Sequence, residues 1–381
     1  MNVVKEAFLE KYEPQGCFQC GKCTGGCPVS LRSGLNIRRL MIEVLLREDL
    51  AQVLRGDDLW NCTTCKTCTL RCPRGLEPMN LLIGLRSMLV EDGHIPETAI
   101  QALESTYKYG NPWNTPRNKR IEWGKELGLK TFPNGDRAEN LYFVCCTAAY
   151  DMRVQQVGRS LVQCFRQIGL DFATLGNEEA CCGSEIRRMG EEGLFELLME
   201  QNSESFKKYE ITSIVTTSPH CYNAIKNDYA QDDLSVHHYT QILAEALHEK
   251  NPFTGQLNKV ITYHDPCFLG KQNGIFDEPR EILKSIPGVT FIDFDRSRER
   301  SLCCEGGGGR MWVEGSDQGP RLAETRVTDA VEMGAEILAT ACPFCLLTLE
   351  DAVKTTGNED KLRVMDISEI LVEAMTQRGS P

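Results

Sequence analysis

Long apolar segments are absent from this chain of 381 residues. No hydrophobic run reaches the roughly 18 residues that a helix needs to cross a bilayer, and the N-terminal residues lack the charged-then-apolar pattern of an export signal. We therefore expect a cytoplasmic protein with no membrane span of its own. With 41% hydrophobic and 25% charged residues, the composition is that of an ordinary globular protein with room for two or three domains.

Basic residues are also scarce. The chain has 42 Lys and Arg against 54 Asp and Glu, which gives a formal net charge of −12, and no basic stripe is visible. We therefore expect no nucleic-acid partner. A Gly-x-Gly-x-x-Gly fingerprint between a strand and a helix is missing too, so the chain carries no flavin-binding motif and no evident hydride acceptor.

Cysteine, in contrast, is abundant. Of the 19 cysteines, 17 occur in repeated spacings that are typical of metal ligands. The first run consists of Cys17, Cys20, Cys23 and Cys27, and Pro28 follows it. The second run consists of Cys62, Cys65, Cys68 and Cys72, and Pro73 follows it. This C-x₂-C-x₂-C-x₃-C-P spacing is that of two-cluster ferredoxins, so the two runs predict two [4Fe–4S] cubane clusters.

Ligation in such ferredoxins crosses between the runs, because the fourth cysteine of each run binds the other cluster. The first cubane set is then Cys17, Cys20, Cys23 and Cys72. The second cubane set is Cys62, Cys65, Cys68 and Cys27. Crossed ligation ties the two halves of the segment together, so we expect cluster assembly and folding to be coupled.

Two other cysteine chemistries compete with iron–sulfur binding. A disulfide framework belongs to exported proteins, and this sequence has no export signal. Zinc explains a single C-x-x-C pair well, but it fits eight cysteines in two matched runs of four poorly. A colourless protein that contains zinc and no acid-labile sulfide would support a non-redox metal scaffold.

The sequence divides into an N-terminal segment, a linker and a C-terminal half. Residues 1–95 carry both cysteine runs, and apolar spacing predicts helices over 35–46 and 79–89, which makes a helical ferredoxin domain. Residues 96–137 are rich in turn-forming Pro, Gly and Asn, and they predict an irregular linker.

The C-terminal half shows an internal duplication, with units at 138–252 and 253–381. Cys146 and Cys267 are 121 residues apart, and Cys221 and Cys345 are 124 residues apart. A nearly constant offset indicates two copies of one structural unit.

Within each unit, β-branched runs alternate with helical stretches. A strand over 214–217 follows a helix over 194–208, and Thr240 and Ser368 stand where helix N-caps are expected. This alternation predicts α/β units with parallel strands, and cysteines at strand ends lie where open sheets of this kind place ligands. We expect the two units to face each other across a pseudo-two-fold axis.

Each unit has one cysteine after its first strand, an adjacent cysteine pair and a late cysteine motif. This pattern resembles the cysteine-rich CCG domain of the heterodisulfide reductase family. The second CCG set is complete and consists of Cys267, Cys303, Cys304, Cys342 and Cys345. The first CCG set consists of Cys146, Cys181, Cys182 and Cys221. For the second set, the resemblance implies a noncubane [4Fe–4S] cluster built from two fused smaller clusters.

The first unit departs from this pattern, because Ser218 stands where the second unit has Cys342. Three occupancies stay open: a cubane or smaller cluster on four thiolates, a noncubane cluster with Ser218 or Cys145 as substitute ligand, or an empty site. Cys164 lies on a predicted helix and is interpreted as a core residue.

Other residues near the cysteines are candidates for supporting roles. Gly306, Gly307, Gly308 and Gly309 follow the second cysteine pair, and we predict that their backbone approaches and binds the cluster. No Gly-Lys-Ser/Thr follows, which argues against a phosphate loop. Two roles stay open for His220, His264 and Asp265. They are candidates to hydrogen-bond cluster sulfur or to pass protons, or else they form hydrogen bonds that hold their loops. His237 and His238 are interpreted as a solvated or capping pair.

The fold class is therefore α+β and multidomain: a helical two-cluster ferredoxin domain followed by two duplicated α/β CCG domains. The resemblance implies an iron–sulfur electron-transfer subunit of a multi-subunit anaerobic oxidoreductase. Its partners would be other redox subunits, including one with flavin and iron–sulfur clusters. In disulfide-reducing members of the family, the noncubane cluster cleaves a disulfide by two one-electron steps, so a catalytic and a relay role both stay open.

A second hypothesis also fits the layout. Glycolate, lactate and glycerol-3-phosphate dehydrogenases that depend on flavin have iron–sulfur subunits with a similar ferredoxin-plus-CCG arrangement. The chain would then relay electrons from a flavin-containing partner to quinone. The identity of the proteins that co-purify with the chain would distinguish this hypothesis from the first.

Overall fold

The computed structural model describes residues 3–54, 57–229, 231, 233–249, 251–316 and 318–376. In the N-terminal part the helices are α1 (Val3–Tyr12), α2 (Lys22–Gly25), α3 (Ile37–Leu46), α4 (Thr67–Leu70) and α5 (Pro78–Glu91). Helices α3 and α5 confirm the helices predicted over 35–46 and 79–89. The short helices α2 and α4 carry Cys23 and Cys68, and they contact each other, so the two cysteine runs lie side by side.

The segment 96–137 is less irregular than predicted, because it begins with helix α6 (Glu97–Tyr109). Ala99, Ala102, Leu103 and Thr106 follow helical spacing and are buried. The Pro and Gly residues that suggested a linker all lie outside this helix: Pro96 precedes it and Gly110 ends it in a left-handed conformation. Short 3₁₀ turns occupy much of the remainder.

Each C-terminal unit is a four-stranded sheet with helices between its strands. The first unit contains β1 (Asn140–Phe143), α7 (Cys146–Tyr150), α8 (Gln155–Gln167), β2 (Phe172–Ala173), α9 (Ser184–Met189), α10 (Glu192–Lys208), β3 (Ser213–Thr216), α11 (Pro219–Asn223), β4 (Ser235–His238) and α12 (Tyr239–Glu249). The second contains β5 (Val260–Tyr263), α13 (Gly270–Asn273), α14 (Asp277–Ser285), β6 (Thr290–Phe291), α15 (Leu322–Glu332), β7 (Ile337–Thr340), α16 (Pro343–Thr355), β8 (Arg363–Asp366) and α17 (Ile367–Thr376).

The two sheets have the same topology. The strand order is β2-β1-β3-β4 in the first unit and β6-β5-β7-β8 in the second, and the strand pairs are parallel. The central strands β1, β3, β5 and β7 are almost entirely buried, as expected for parallel strands that helices cover. This confirms the predicted α/β class, and it places the carboxyl ends of β1, β3, β5 and β7 next to the cysteines.

The last helix of each unit begins two residues earlier than predicted. Thr240 and Ser368 lie inside α12 and α17, so neither is the N-cap. The capping acceptors come from the preceding strands: Asp366 Oδ1 accepts the Ser368 N–H at 2.9 Å, and His238 Nδ1 accepts the Thr240 N–H at 3.5 Å. His238 is thus a buried capping residue, whereas His237 is partly exposed and contacts Ser235.

The two units pack through reciprocal helix pairs. Helix α8 of the first unit contacts α17 of the second, and their counterparts α14 and α12 contact each other. Such reciprocity is what the predicted pseudo-two-fold requires. Cys164 on α8 lies at this interface, fully buried, with its Sγ 3.8 Å from the Ser368 carbonyl oxygen, in keeping with its interpretation as a core residue. None of the helices in the described ranges has both the length and the apolar character of a membrane span.

Candidate iron–sulfur sites

The fold brings the members of the second cubane set together. Burial raises the pKa of the Cys68 thiol well above its usual value, and the nearby thiolates of Cys62, Cys65 and Cys27 raise it further. Cys27 comes from the first run, so its position among the thiols of the second run has the arrangement that crossed ligation requires. These are thiols that give up their protons when a metal binds.

The first cubane set is the more exposed of the two. Cys20 is exposed, and Cys17 and Cys72 are half-buried, whereas every member of the second cubane set is buried. Cys23 is buried close to Cys17, and burial raises the pKa of its thiol. Phe18, between two of these cysteines, leaves 60% of its surface exposed. The first cubane set therefore faces the surface, and the second faces the interior.

The second CCG set forms a continuous group of buried thiols. Hydrogen bonds connect Cys267 with Cys303, Cys303 with Cys304, and Cys304 with Cys345. The Sγ atoms of Cys304 and Cys345 are 3.1 Å apart. Cys342 completes the group through its hydrogen bond to Cys345. The structure thus gathers all five predicted residues at the ends of β5 and β7 and in the loop before α15.

The donors around this set suit sulfur ligands. The Glu305 N–H lies 3.3 Å from Cys303 Sγ, and the Gly306 N–H lies 3.4 Å from Cys304 Sγ. His264 is fully buried. One of its ring nitrogens and the Sγ atoms of Cys304 and Cys345, each a potential metal ligand, all lie within 4.8 Å of one another. Neither ring nitrogen of His264 has a hydrogen-bond partner among the described residues. A cluster sulfide would supply the acceptor that this buried ring lacks, so the residues fit an iron–sulfur group.

His220 reaches this set from the first unit. Its ring is hydrogen-bonded to Cys342 and, through Nδ1, to Glu185 at 2.8 Å. Burial lowers the pKa of His220, but the Glu185 carboxylate and the Cys342 thiolate outweigh burial and raise the pKa to about 10. The ring also stacks on Phe268 at 3.9 Å between centroids. The first unit thereby places a cationic donor against a cysteine of the second unit.

Asp265 has a structural role rather than a sulfur contact. Its two carboxylate oxygens accept hydrogen bonds from Arg280 at 2.7 and 2.9 Å, and the second also accepts the Arg298 N–H. Of the two roles that the sequence left open for Asp265, loop hydrogen bonding is the one that agrees with these contacts.

The glycine run divides into two parts. Gly306 lies against the thiols, whereas Gly307 and Gly308 approach the ferredoxin domain: a Cβ on Gly308 would lie 2.6 Å from the Cys62 carbonyl oxygen. The Gly309 N–H donates to Glu185 at 2.7 Å. Among the described residues, Gly306 is the one of these four glycines that donates its N–H to a thiol of the second CCG set. The backbone of the other three lies at contacts between domains.

The second cubane set and the second CCG set meet at one edge. The thiol of Cys65 is hydrogen-bonded to the thiol of Cys267. Lys271 is buried beside both cysteines, and its Nζ donates to Thr67 Oγ1 at 3.0 Å and to the Ser301 carbonyl oxygen at 2.6 Å. A buried cation at this edge offsets the negative charge of both sets of thiolates.

The first CCG set is also brought together. Cys146 is hydrogen-bonded to Cys181, and Cys182 is hydrogen-bonded to Cys181 and Cys221. Arg120 donates to Cys146 Sγ at 3.4 Å from the segment before β1. The set is as deeply buried as its counterpart in the second unit.

The supporting residues that were missed from the sequence include Arg86, Lys271, Glu185 and Arg120. Arg86 could have been noticed, because it is a single cation in the apolar stretch of α5. Its buried guanidinium donates to carbonyl oxygens in the ferredoxin domain and in both C-terminal units, namely those of Leu59, Cys62, Arg188 and Gly308. Lys271 and Glu185 have ordinary sequence surroundings, and only the packing of distant segments makes them neighbours of the thiols.

Fold and site together define an iron–sulfur protein with a ferredoxin-type segment and two cysteine-rich α/β units. Comparison with known families agrees with this class. The family described as a 4Fe-4S dicluster domain matches residues 13–76. The family described as the CCG cysteine-rich domain matches residues 140–226 and 261–350, one match in each C-terminal unit.

Relatives give a more particular assignment. The chain is 32% identical to one of the subunits of the dihydromethanophenazine:CoB–CoM heterodisulfide reductase of Methanosarcina barkeri, over 96% of this chain and 95% of that protein. It is 36% identical to an EtfAB:quinone oxidoreductase of Syntrophomonas wolfei, over 98% of this chain and 60% of that protein. The chain belongs to the family of CCG-domain iron–sulfur proteins that includes this Methanosarcina protein, which confirms the resemblance seen in the sequence.

The chain is shorter than several of these proteins. It spans about half to three-fifths of the length of several curated relatives that it matches. A solved structure, a hypothetical protein from Helicobacter pylori, matches with a TM-score of 0.55 and 11% identity, covering 100% of this chain and 74% of that one. At this identity the match bears on the fold alone.

Proposed function

We propose that this chain is the iron–sulfur electron-transfer subunit of a multi-subunit oxidoreductase. The observation that carries the proposal is the contact between Cys65 and Cys267, which joins the second cubane set to the second CCG set. Iron–sulfur clusters held by these thiolates would take up and release electrons at potentials that depend on charge, hydrogen bonding and exposure. The exposure of the first cubane set and the burial of the other sets support an order of the sites that runs from the exposed set to the buried ones.

The exposed first cubane set is where a redox partner gains access. Cys20 and Phe18 lie at the surface, so a partner protein can approach this set without any rearrangement of the chain. The second CCG set is reached only through the interior, because its five cysteines leave at most 7% of their surface exposed. We infer that electrons enter or leave the chain at the first cubane set.

We further infer that the two C-terminal units are copies of one unit and that the second holds a noncubane [4Fe–4S] cluster. The shared strand order, the reciprocal helix pairs and the two matches to one family support the duplication. Five thiolates exceed the four that a cubane needs, and the adjacent pair Cys303 and Cys304 suits two irons of one cluster.

A ligand deletion at the exposed set tests the order of the sites. In Cys20→Ala, we expect reduction of the second CCG set by a protein-sized donor, such as a reduced ferredoxin, to slow at least about tenfold. The spectrum of the second CCG set itself should not change, because Cys20 is not one of its five cysteines. Stopped-flow absorption with freeze-quench electron paramagnetic resonance (EPR) measures both, and an unchanged rate would contradict the proposed order.

Disulfide reduction at the second CCG set is a second candidate function. It is favoured by the similarity to the Methanosarcina heterodisulfide reductase protein, which runs over nearly the full length of both chains. If it is correct, adding a heterodisulfide to the reduced protein changes the EPR signal of this set. An EPR signal that does not change when the heterodisulfide is added would contradict disulfide reduction and leave electron relay as the function.

Relay to quinone is the third arrangement, and it is favoured by the relative named EtfAB:quinone oxidoreductase. Anaerobic native purification followed by mass spectrometry separates these arrangements. A large flavin- and cluster-containing subunit would support a heterodisulfide reductase-like assembly. A flavin dehydrogenase or an EtfAB-type partner would support transfer towards quinone.

A further inference from the structure

We propose that Cys145 supplies a fifth thiolate to the first CCG set, so that the first unit holds a five-thiolate iron–sulfur site although it lacks a counterpart of Cys342. The inference extends the proposed function. It rests on that function in one respect, namely that the cofactor is an iron–sulfur cluster. It concerns this chain's own residues, and three observations support it.

The first observation is the connectivity of the thiols. In the second unit, Cys342 is the terminal member, and it joins the group through a hydrogen bond to Cys345. In the first unit, the residue equivalent to Cys345 is Cys221, and its thiol is hydrogen-bonded to Cys145 as well as to Cys182. Cys145 therefore occupies, relative to Cys221, the place that Cys342 occupies relative to Cys345.

The second observation is the use of the Ser218 hydroxyl. Ser218 is the N-cap of α11, and its Oγ accepts the His220 N–H at 3.2 Å. Cys342 is the N-cap of α16, and its thiol is hydrogen-bonded to the thiol of Cys345 and to the ring of His220. The N-cap side chain of the second unit therefore contacts another cysteine of its set, whereas that of the first unit is hydrogen-bonded to the backbone of its own helix. Serine is a good capping residue, and iron prefers the thiolate.

The third observation is the backbone of Cys145. Its φ of 78° and ψ of 144° are rare for a residue with a side chain, and such a conformation persists only where the surroundings enforce it. The Glu179 carboxylate holds this conformation by accepting the N–H groups of Val144 and Cys145 at 3.0 and 3.1 Å. Glu179 is itself buried in an ion pair with Arg120. A buried ion pair that maintains a strained cysteine beside four other cysteines indicates a ligand position.

The second unit has no comparable residue at this point. The counterpart of Cys145 is Pro266, which directly precedes Cys267 and has no side-chain ligand atom. Proline also fixes φ near −65° and cannot adopt the backbone of Cys145. Each unit therefore has one source for a fifth thiolate: the residue before the first ligand in the first unit, and the helix N-cap in the second.

The test compares iron and acid-labile sulfide per chain in anaerobically purified variants. We expect Cys145→Ala to lose the iron and sulfide of one cluster, about a quarter of the total if four sites are filled. Ser218→Ala and Cys164→Ala are the controls, and both should retain the wild-type content. Wild-type protein with metal for three clusters, or Cys145→Ala with full metal content and an unchanged EPR spectrum, would overturn the inference.

Folding is controlled by a second substitution. Cys145→Gly removes the thiol and also removes the penalty for positive φ, so it should fold at least as well as Cys145→Ala while losing the same cluster. A rescue follows from the comparison of the units: combining Cys145→Gly with Ser218→Cys places a thiol where the second unit has one. We expect this double variant to regain the iron and sulfide of the lost cluster. If Cys145→Gly alone retains the full metal content, the ligand role of Cys145 is refuted.

These outcomes are separable from the proposed function. The readout is metal content at the first CCG set, whereas the proposed function is tested by reduction of the second CCG set. A first set without a cluster would leave the route through Cys65 and Cys267 intact. Conversely, an unchanged rate of reduction in Cys20→Ala would contradict the proposed order of the sites, but it would not alter the metal content expected for the Cys145 variants.

Discussion

At the scale of single residues, buried cations beside the thiols are the main features that support the sites. Lys271 lies within reach of two sets, and His220 contacts Cys342. Burial lowers the pKa of Lys271, but the thiolates of Cys267, Cys65 and Cys303 outweigh burial and raise the pKa above its usual value. The lysine therefore stays charged, and its charge is available to set the potentials of the sites next to it.

Substitution of Lys271 by methionine should lower the reduction potential of the second CCG set. Methionine has a similar length, but it removes the positive charge that favours the reduced, more negative state. We expect a decrease on the order of 50–100 mV, roughly 1–2 kcal/mol for one electron. Redox titration followed by EPR measures it, and Lys271→Arg, which keeps the charge, is the matched control. Equal potentials in both variants would mean that the charge of Lys271 does not act on the site.

At the scale of elements, the sequence predicted what depends on local pattern and missed what depends on packing. Helices α3 and α5 and strand β3 follow from apolar spacing, and the cysteine sets follow from ligand spacing. Helix α6 was missed because nearby Pro and Gly outweighed its apolar spacing. The role of Gly308 was not predictable either, because its close approach to Cys62 joins residues 246 positions apart.

The glycine run should be sensitive to a single methyl group at Gly308. Its φ is +70°, and a Cβ would lie 2.6 Å from the Cys62 carbonyl oxygen, so Gly308→Ala adds a clash to backbone strain. Gly334 has a similar φ of +77° and no atom within 4 Å of an added Cβ, which makes Gly334→Ala the control for strain alone. We expect a loss of about 1 kcal/mol for the control and of roughly 2–4 kcal/mol for Gly308→Ala.

Anaerobic urea unfolding, followed by circular dichroism, measures both losses. The Gly308→Ala variant should also slow reduction of the second CCG set, because the displaced segment carries Cys303 and Cys304. Losses of equal size in the two variants would show that the ferredoxin domain and the second unit are not in close contact at Gly308.

At the scale of the whole molecule, the three parts of the chain are fixed to one another by buried polar contacts. Arg86 connects the ferredoxin domain with both C-terminal units, and Arg153 of the first unit binds Glu350 and Glu369 of the second. Tyr239 of the first unit donates its hydroxyl to Asp366 of the second at 2.9 Å. Fixed relative positions of this kind are what electron transfer between separate sites requires.

The burial of the Asp366 carboxyl should make the stability of the whole molecule depend on pH. Burial raises the pKa of the Asp366 carboxyl from its usual 3.8 to about 7, although hydrogen bonds from Ser368 and Tyr239 partly oppose this effect. The folded protein thus binds a proton more tightly than the unfolded chain does. The stabilisation is complete below about pH 4 and is lost as the pH rises through 7.

Asp366→Asn should remove this dependence while keeping an oxygen that accepts from the Ser368 N–H and the Tyr239 hydroxyl. Between pH 6 and pH 8 we expect the free energy of unfolding of the wild type to fall relative to that of the variant, by roughly 1–2 kcal/mol for a pKa near 7. Urea unfolding under anaerobic conditions at the two pH values measures the difference. Glu369 also faces this carboxyl and is paired with Arg153 in wild type and variant alike, so a variant as pH-dependent as the wild type would place the titrating group elsewhere.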